Sequence, residues 1–300
     1  MTGENMNTKD LDYFQQLILQ KNFSKVAAFF GVTQPTITTA IKRLETEFET
    51  KLVIRDRVHN DIQITPSGEQ LAIHAQVVLS ELTLAHQELA HLAARQTTLG
   101  LPPIIENYYF PRIAARLQAE NLLEGLQTVE GGSVWLRHAL LNGQADIGLL
   151  GSIEPLAYQN LIAEEFDRKP FNIFIAKSHP LANRQKIYFS ELRHEKFILF
   201  TNSFVHNTAF NKLTRRNHFR PEVVFRANDT HIIMNLVAEN VGITFLTDIV
   251  DQHRNDVVRL ELLDDEQPEF ISSIVYRTSH VLTPVQERVL QILRESLRLG

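Results

Sequence analysis

The residues best suited to recognition chemistry stand close together. Gln34, Thr36, Thr38, Thr39, Lys42 and Arg43 supply amide, hydroxyl and cationic groups within one short segment. Amides and hydroxyls at the start of a helix can exchange hydrogen bonds with base edges, and cations meet phosphates, so the set fits contact with a nucleic-acid duplex. Those groups must share a face. Ile37, Ile41, Leu44 and Phe48 recur at helical spacing and give the segment an opposite, apolar side. Thr33 is placed to cap this helix, and Pro35 falls in its first turn, where a missing N–H costs nothing. Upstream, Val26, Ala27 and Phe30 mark a shorter helix that starts at Asn22-Phe23-Ser24 and stops at Gly31, and Leu11, Phe14, Leu17 and Ile18 mark another before it. Ser24 to Glu47 thus has helix, tight turn, helix spacing. Beyond it, 51–55 and 61–65 read as two short strands around Val58-His59-Asn60, a hairpin that would act as a wing carrying Arg55 and Arg57. The candidate duplex-contacting set is Ser24, Thr33, Gln34, Pro35, Thr36, Thr38, Thr39, Lys42, Arg43, Arg55 and Arg57.

Composition limits how such contacts could hold. The chain has 300 residues, 30 Lys+Arg against 35 Asp+Glu, and a formal charge of −5, so it is no basic coating protein. Residues 1–68 carry eight Lys/Arg and eight Asp/Glu, a net charge of zero, so affinity must come from placement of a few cations, from helix N-termini and from several copies on one site. The absence of cysteine rules out disulfides, a thiol nucleophile and thiolate metal sites. Twelve histidines are present, but none pairs at ligand spacing beside a carboxylate cluster, and His86 and His91 lie on a helical face expected to be solvated. The expectation is no metal and no cofactor. The amino terminus lacks the basic stretch and apolar run of a secretory signal, and no apolar run reaches the ~18 residues that span a bilayer, so the expected setting is cytoplasmic with no membrane partner.

Other elements must position the recognition segment. From Pro66, Leu71, Ala75, Val78, Leu82, Ala85, Leu89 and Leu92 form a heptad seam, which asks for a partner helix and predicts dimerisation. Beyond Gln96-Thr97-Thr98, read as the hinge, short strand patterns alternate with helical ones: 126–129, 147–150, 171–176, 197–200, 223–226, 243–246 and 271–276. Alternation predicts an α/β body with mainly parallel sheets. The expected domains are 7–65, a winged helix-turn-helix; 66–96, the linker helix; and 97–300, the α/β body.

Leu11-Asp12-Tyr13-Phe14, Asn22-Phe23-Ser24-Lys25-Val26-Ala27, Val32-Thr33-Gln34-Pro35-Thr36-Ile37-Thr38 with Ile41-Lys42-Arg43-Leu44-Glu45, and Ile64-Thr65-Pro66-Ser67-Gly68 resemble, in order, the amino-terminal signature of LysR-type transcriptional regulators. Length, linker helix and α/β remainder fit that family too. The resemblance implies a winged helix-turn-helix that binds a double-stranded DNA operator, a dimerising linker, and an effector domain of two α/β lobes similar to periplasmic binding proteins. It also implies a homodimer or homotetramer and a small-molecule effector. The sequence departs at Asn22, where Gly is common, at Thr39, where Arg is frequent, and at Val53-Ile54, so no base preference is carried over. Within the family it most resembles regulators of malolactic fermentation operons, in 6–11 and 54–56, which implies L-malate as effector.

By the same resemblance the strand-to-helix turns line the effector cleft: Pro102, Pro103 and Ile104; Gly131, Gly132 and Ser133; Thr201, Asn202 and Ser203; Asn228, Asp229 and Thr230; and Phe245 with Thr247. The chain is expected to cross from lobe 1 (about 97–165 and 270–300) to lobe 2 (about 166–269) near 164–166 and to return near 268–270. Hydroxyls, amides and open N–H groups in these turns favour a carboxylate, with Arg112, Arg137, His206 and Arg226 as candidate counter-charges. Asp146, before a strand, reads as a structural turn residue. The competing reading is an α/β enzyme with an accessory helical domain. It accounts only for the body, and the sequence holds no Gly-x-Ser-x-Gly elbow, phosphate loop, dinucleotide fingerprint or His-Glu-x-x-His.

Overall fold

A computed structural model describes residues 6–56, 61–94, 96–250 and 254–297, and the chain divides into two compact units, Met1–Leu89 and Ala90–Gly300. In the first unit α1 (Thr8–Gln20) starts from a reciprocal cap: the Asn7 side chain accepts from Asp10 N, and Asp10 accepts from Asn7 N. Helix α2 (Phe23–Phe30) lies between the Asn22 cap and Gly31, whose φ of 66° closes it in the left-handed region. Helix α3 (Gln34–Glu47) follows the Thr33 cap. Phe14, Leu17, Val26, Ile37 and Leu44 are fully buried between these helices, and each such burial is worth roughly 1.5–3 kcal/mol. The hairpin of β1 (Val53–Asp56) and β2 (Asp61–Ile64) is antiparallel, while its turn and Arg57 lie outside the described residues.

Two close contacts fasten this unit. Arg43 reaches back from α3 to Asp10 on α1 with Nε at 2.9 Å from Oδ2 and Nη2 at 2.5 Å from Oδ1; Asp10 is fully buried. Helix α4 (Pro66–Ala94) begins where Thr65 Oγ1 donates to Lys51 O and accepts from Gly68 N. A Cβ on Gly68 would stand 2.4 Å from Leu52 O, so only glycine allows the helix to start against that strand.

In the second unit β3 (Thr97–Leu101) begins inside the segment expected to be a hinge and leads into α5 (Pro103–Ala119). Then come β4 (Leu126–Glu130), α6 (Ser133–Leu141), β5 (Ile147–Ser152), the 16-residue β6 (Leu161–Ala176) and the short β7 (Lys186–Ile187). The chain continues with β8 (Lys196–Phe200), α7 (Val205–Arg216), β9 (Glu222–Ala227), α8 (Thr230–Ala238), β10 (Thr244–Thr247), β11 (Val257–Leu262), β12 (Glu269–Arg277) and α9 (Pro284–Leu297). Eight strands form one sheet in the order β4-β3-β5-β12-β6-β11-β7, with β10 also on β6, and β8 pairs β9 separately. The expectation of mainly parallel pairing is corrected here. β3 is parallel to β4 and β5, but β12 runs antiparallel to β5 and β6, and β10 and β11 run antiparallel to β6. Residues 161–170 of β6 pair β12 in one lobe, and 171–176 pair β10 and β11 in the other, so the change of lobe falls at Pro170 and Phe171 rather than at 164–166. Asp146 is fully buried and accepts from Thr98 N at 2.8 Å, joining the start of β5 to β3.

Because Asp10 is enclosed and holds both Arg43 and the α1 cap, Asp10→Ala is expected to cost about 3–5 kcal/mol. Hydrogen exchange of the full chain checks this: amides of α1 and α3 should lose protection while β5 and β12 keep theirs. Unchanged protection in α1 and α3 would show that the pair does not hold the unit together.

Candidate functional site

The start of α3 is open. Gln34, Pro35, Thr36, Thr39 and Lys42 are exposed with Thr33, Thr38 is half-buried, and Ser24 at the start of α2 is exposed. The apolar positions Ile37, Ala40, Ile41 and Leu44 face inward, so the polar groups present one continuous side. Thr33 and Thr36 hydroxyls lie 2.9 Å apart and are partly spent on the cap. Glu45 accepts from Lys51 Nζ at 2.6 Å and Leu52 N at 3.1 Å, which fixes the strand pair beside α3. Arg43 departs from expectation. Its guanidinium is taken by buried Asp10, so it fastens α3 to α1 instead of standing on the open face.

The seam of α4 divides in two. Ala75 is buried and Leu71 half-buried against the helices of the first unit, whereas Val78, Leu82, Leu89 and Leu92 are exposed. Four large apolar side chains in water on one helical stripe are the signature of a surface awaiting a partner.

In the second unit a cleft of about 610 Å³ opens between the lobes, lined by Pro103, Glu106, Asn107, Glu130, Gly131, Gly132, Trp135, Ser203, Phe204, Asn228, Asp229 and His231. Six expected residues meet there: Pro103, Gly131, Gly132, Ser203, Asn228 and Asp229. Helices α5, α6 and α7 start from Pro102, Gly132 and Phe204 with no side-chain cap. Asp229 caps α8 by accepting from His231 N at 2.6 Å, and Thr201 donates to Asn228. Ile104, Phe245 and Thr247 are fully or almost fully buried in the core and Thr230 nearly so; none of them lines the cleft, nor do Pro102, Thr201 and Asn202. Phe245 stacks on Phe171 at 4.7 Å, because every residue of β10 is covered on both faces.

The electrostatics reverse one expectation. Three carboxyl groups, Glu106 in the first turn of α5, Glu130 at the end of β4 and Asp229, line the cleft, and of these only Asp229 is among the expected cleft residues. Glu106 Oε2 is buried without a donor and faces the Glu130 carboxyl; two acceptors in contact are satisfied only when one carries a proton. Burial first, and then Glu130, push the Glu106 carboxyl up to about 7. Of the candidate counter-charges, Arg226 is spent on Phe200 O and Asn207 Oδ1, both at 2.8 Å, and Arg112 lies exposed outside the cleft. His206 is enclosed by Phe171, Phe200 and Phe270, and burial lowers its pKa to about 3, so it stays neutral.

The sequence matches two family descriptions in succession: the bacterial regulatory helix-turn-helix protein, lysR family, over residues 8–69, and the LysR substrate binding domain over 90–298. The chain belongs to the LysR family of transcriptional regulators. The malolactic fermentation system transcriptional activator of Lactococcus lactis subsp. lactis is 34% identical to this LysR regulator, over 96% of this chain and 98% of that protein. An uncharacterized HTH-type regulator of Bacillus subtilis is 25% identical, over 94% and 96%. Among solved structures, an OxyR mutant of Corynebacterium glutamicum superposes with a TM-score of 0.57 at 22% identity, covering all of this chain and 95% of that one. The effector binding domain of QuiR in complex with shikimate superposes at 0.59 and 14% identity, over 68% of this chain and 96% of that domain. These likenesses carry the fold. Among the described residues of this LysR regulator, no three His, Cys, Asp or Glu side chains are grouped to hold a metal ion, and no helix is long and apolar enough to cross a membrane.

The raised Glu106 carboxyl has a thermodynamic sign. A folded-state pKa of about 7 against an ordinary 4.5 means the fold binds this proton more tightly than the unfolded chain, so stability is fullest below 4.5 and declines as pH rises towards 7. Glu106→Gln should therefore raise the melting temperature relative to the parent more at pH 8 than at pH 5. An equal offset at both pH values would remove the shared proton.

Proposed function

We propose that this LysR regulator binds an operator through α3 and the β1–β2 wing as a dimer joined along α4, and that a small carboxylate, L-malate, entering the interlobe cleft changes that binding. The observation that carries the pathway is the 34% identity, across nearly the whole of both chains, to the malolactic fermentation system transcriptional activator of Lactococcus lactis subsp. lactis. The name of that relative favours activation of malolactic genes here as well. Action on chromosomal DNA would place the protein in the cytoplasm.

Exposed Gln34 and Thr36 head the helix whose opposite face is buried, which is the arrangement by which a recognition helix enters a major groove. Lys42 is the exposed cation on α3 available for phosphate, and Arg43 serves from behind by holding the helix angle. With few base-reading groups per subunit, two copies must bind together, and the exposed stripe Val78, Leu82, Leu89 and Leu92 provides the means. Effector can shift the DNA complex only through unequal affinity for the two arrangements of the lobes.

Fluorescence anisotropy on DNA upstream of the protein's own gene, at two salt concentrations and with or without L-malate, tests the whole reading. Salt-dependent, sequence-specific binding altered by malate is expected, and no preference over unrelated DNA would overturn it. Gln34→Ala should cost about 1–3 kcal/mol on the operator and little on non-specific DNA. Leu82→Asp should lower the oligomer mass in sedimentation; an unchanged mass would remove α4 as the dimer contact.

A further inference from the structure

The space between the lobes is two chambers, and they differ in charge. Gly132 and Ser203, which line the larger chamber, approach closely: a Cβ on Gly132 would stand 2.4 Å from Ser203 O. On one side lies the larger cleft with its three carboxyl groups. On the other lies a chamber of about 400 Å³ that Arg137, Ser133, Ser152, Thr208 and Tyr158 help to line.

The polar groups of this smaller chamber are incompletely used. Ser152 is 8% exposed, and its Oγ has no partner. Arg137 Nε is buried and also lacks one; Nη2 approaches only a ring nitrogen, His138 Nε2 at 3.4 Å, and the guanidinium sits 5.0 Å from the centroid of the Tyr158 ring. Ser133 Oγ accepts from Gly151 N at 2.9 Å, which leaves its own proton to donate. The one acid in the lining, Glu154, is 77% exposed and lies 3.8 Å from Lys212. Buried donors without acceptors are costly until an acceptor arrives, and a carboxylate brings two oxygens and the charge that matches a guanidinium. The larger chamber offers an anion the reverse: carboxyl groups already short of donors.

We propose that the smaller chamber is a carboxylate subsite of the interlobe cleft, with Arg137 as counter-charge and the Ser133 and Ser152 hydroxyls as donors to one carboxylate of the ligand. This rests on the reading that the cleft holds the effector, and it fixes where the anion goes.

Isothermal titration of the full chain with L-malate, succinate, L-lactate and benzoate, and with uncharged succinamide as control, tests it. At least one carboxylate should bind. Arg137→Gln should weaken that carboxylate at least about tenfold, while Arg112→Gln, on the exposed side of α5, leaves it unchanged. Ser152→Ala removes a hydroxyl with no partner, so the melting temperature should hold while carboxylate affinity falls several-fold. Binding indifferent to both Arg137→Gln and Ser152→Ala would overturn the subsite and leave the effector cleft standing. Equal losses for succinate and succinamide would show Arg137 to be structural and would also overturn it. No binding by any of the four carboxylates would overturn the subsite together with the carboxylate class, without touching the DNA-binding result.

Discussion

The second unit depends on one strand that serves two lobes. Residues 161–170 of β6 are hydrogen-bonded to β12, and the next six residues are hydrogen-bonded to β10 and β11. The change of partner falls at Pro170, which has no N–H to leave unpaired, and its carbonyl is taken by Asp248 N at 3.1 Å. β6 therefore ties both sets of strands by one continuous backbone, and residues at the starts of α5, α6 and α7 line the larger chamber.

Charge is distributed in the same economical way. Near the start of α3 the exposed groups are amide, hydroxyl and a single lysine, and the arginine that would have added a second cation is enclosed by Asp10. Binding to DNA then depends less on net charge, which is zero over residues 1–68, than on the angle at which α3 is presented. In the second unit the carboxyls of the larger chamber and the Arg137 guanidinium of the smaller one line separate spaces.

Much of this was legible in the chain because it depends on near neighbours. Asn22, Gly31, Thr33 and Pro35 set the ends of α2 and α3 by local hydrogen bonds and backbone torsion, and the period of Ile37, Ile41 and Leu44 set the buried side. The cleft was less legible. Six of the expected turn residues line the larger chamber, but Phe245 and Thr247 lie in the core, since a strand covered on both faces gives no alternation to mark which side is open, and Ile104 is buried as the second residue of α5. The first half of β6 was missed because Glu164, Glu165, Asp167, Arg168 and Lys169 disguise it; Arg168 is held by its near neighbour Glu165, but Glu164 is held by Arg294, 130 residues along the chain, a pairing no local pattern reveals.

The sequence by itself determined the helix-turn-helix, the exposed seam of α4 and the succession of α/β elements, since capping, periodicity and heptad spacing act within a few residues of one another. Tertiary structure alone decided that Arg43 holds Asp10, that Glu106 meets Glu130, and that Arg137 and Ser152 share a chamber with unused donors. Each of those depends on which distant segments the fold brings into contact, and on the burial that changes what a charge or a hydroxyl costs there.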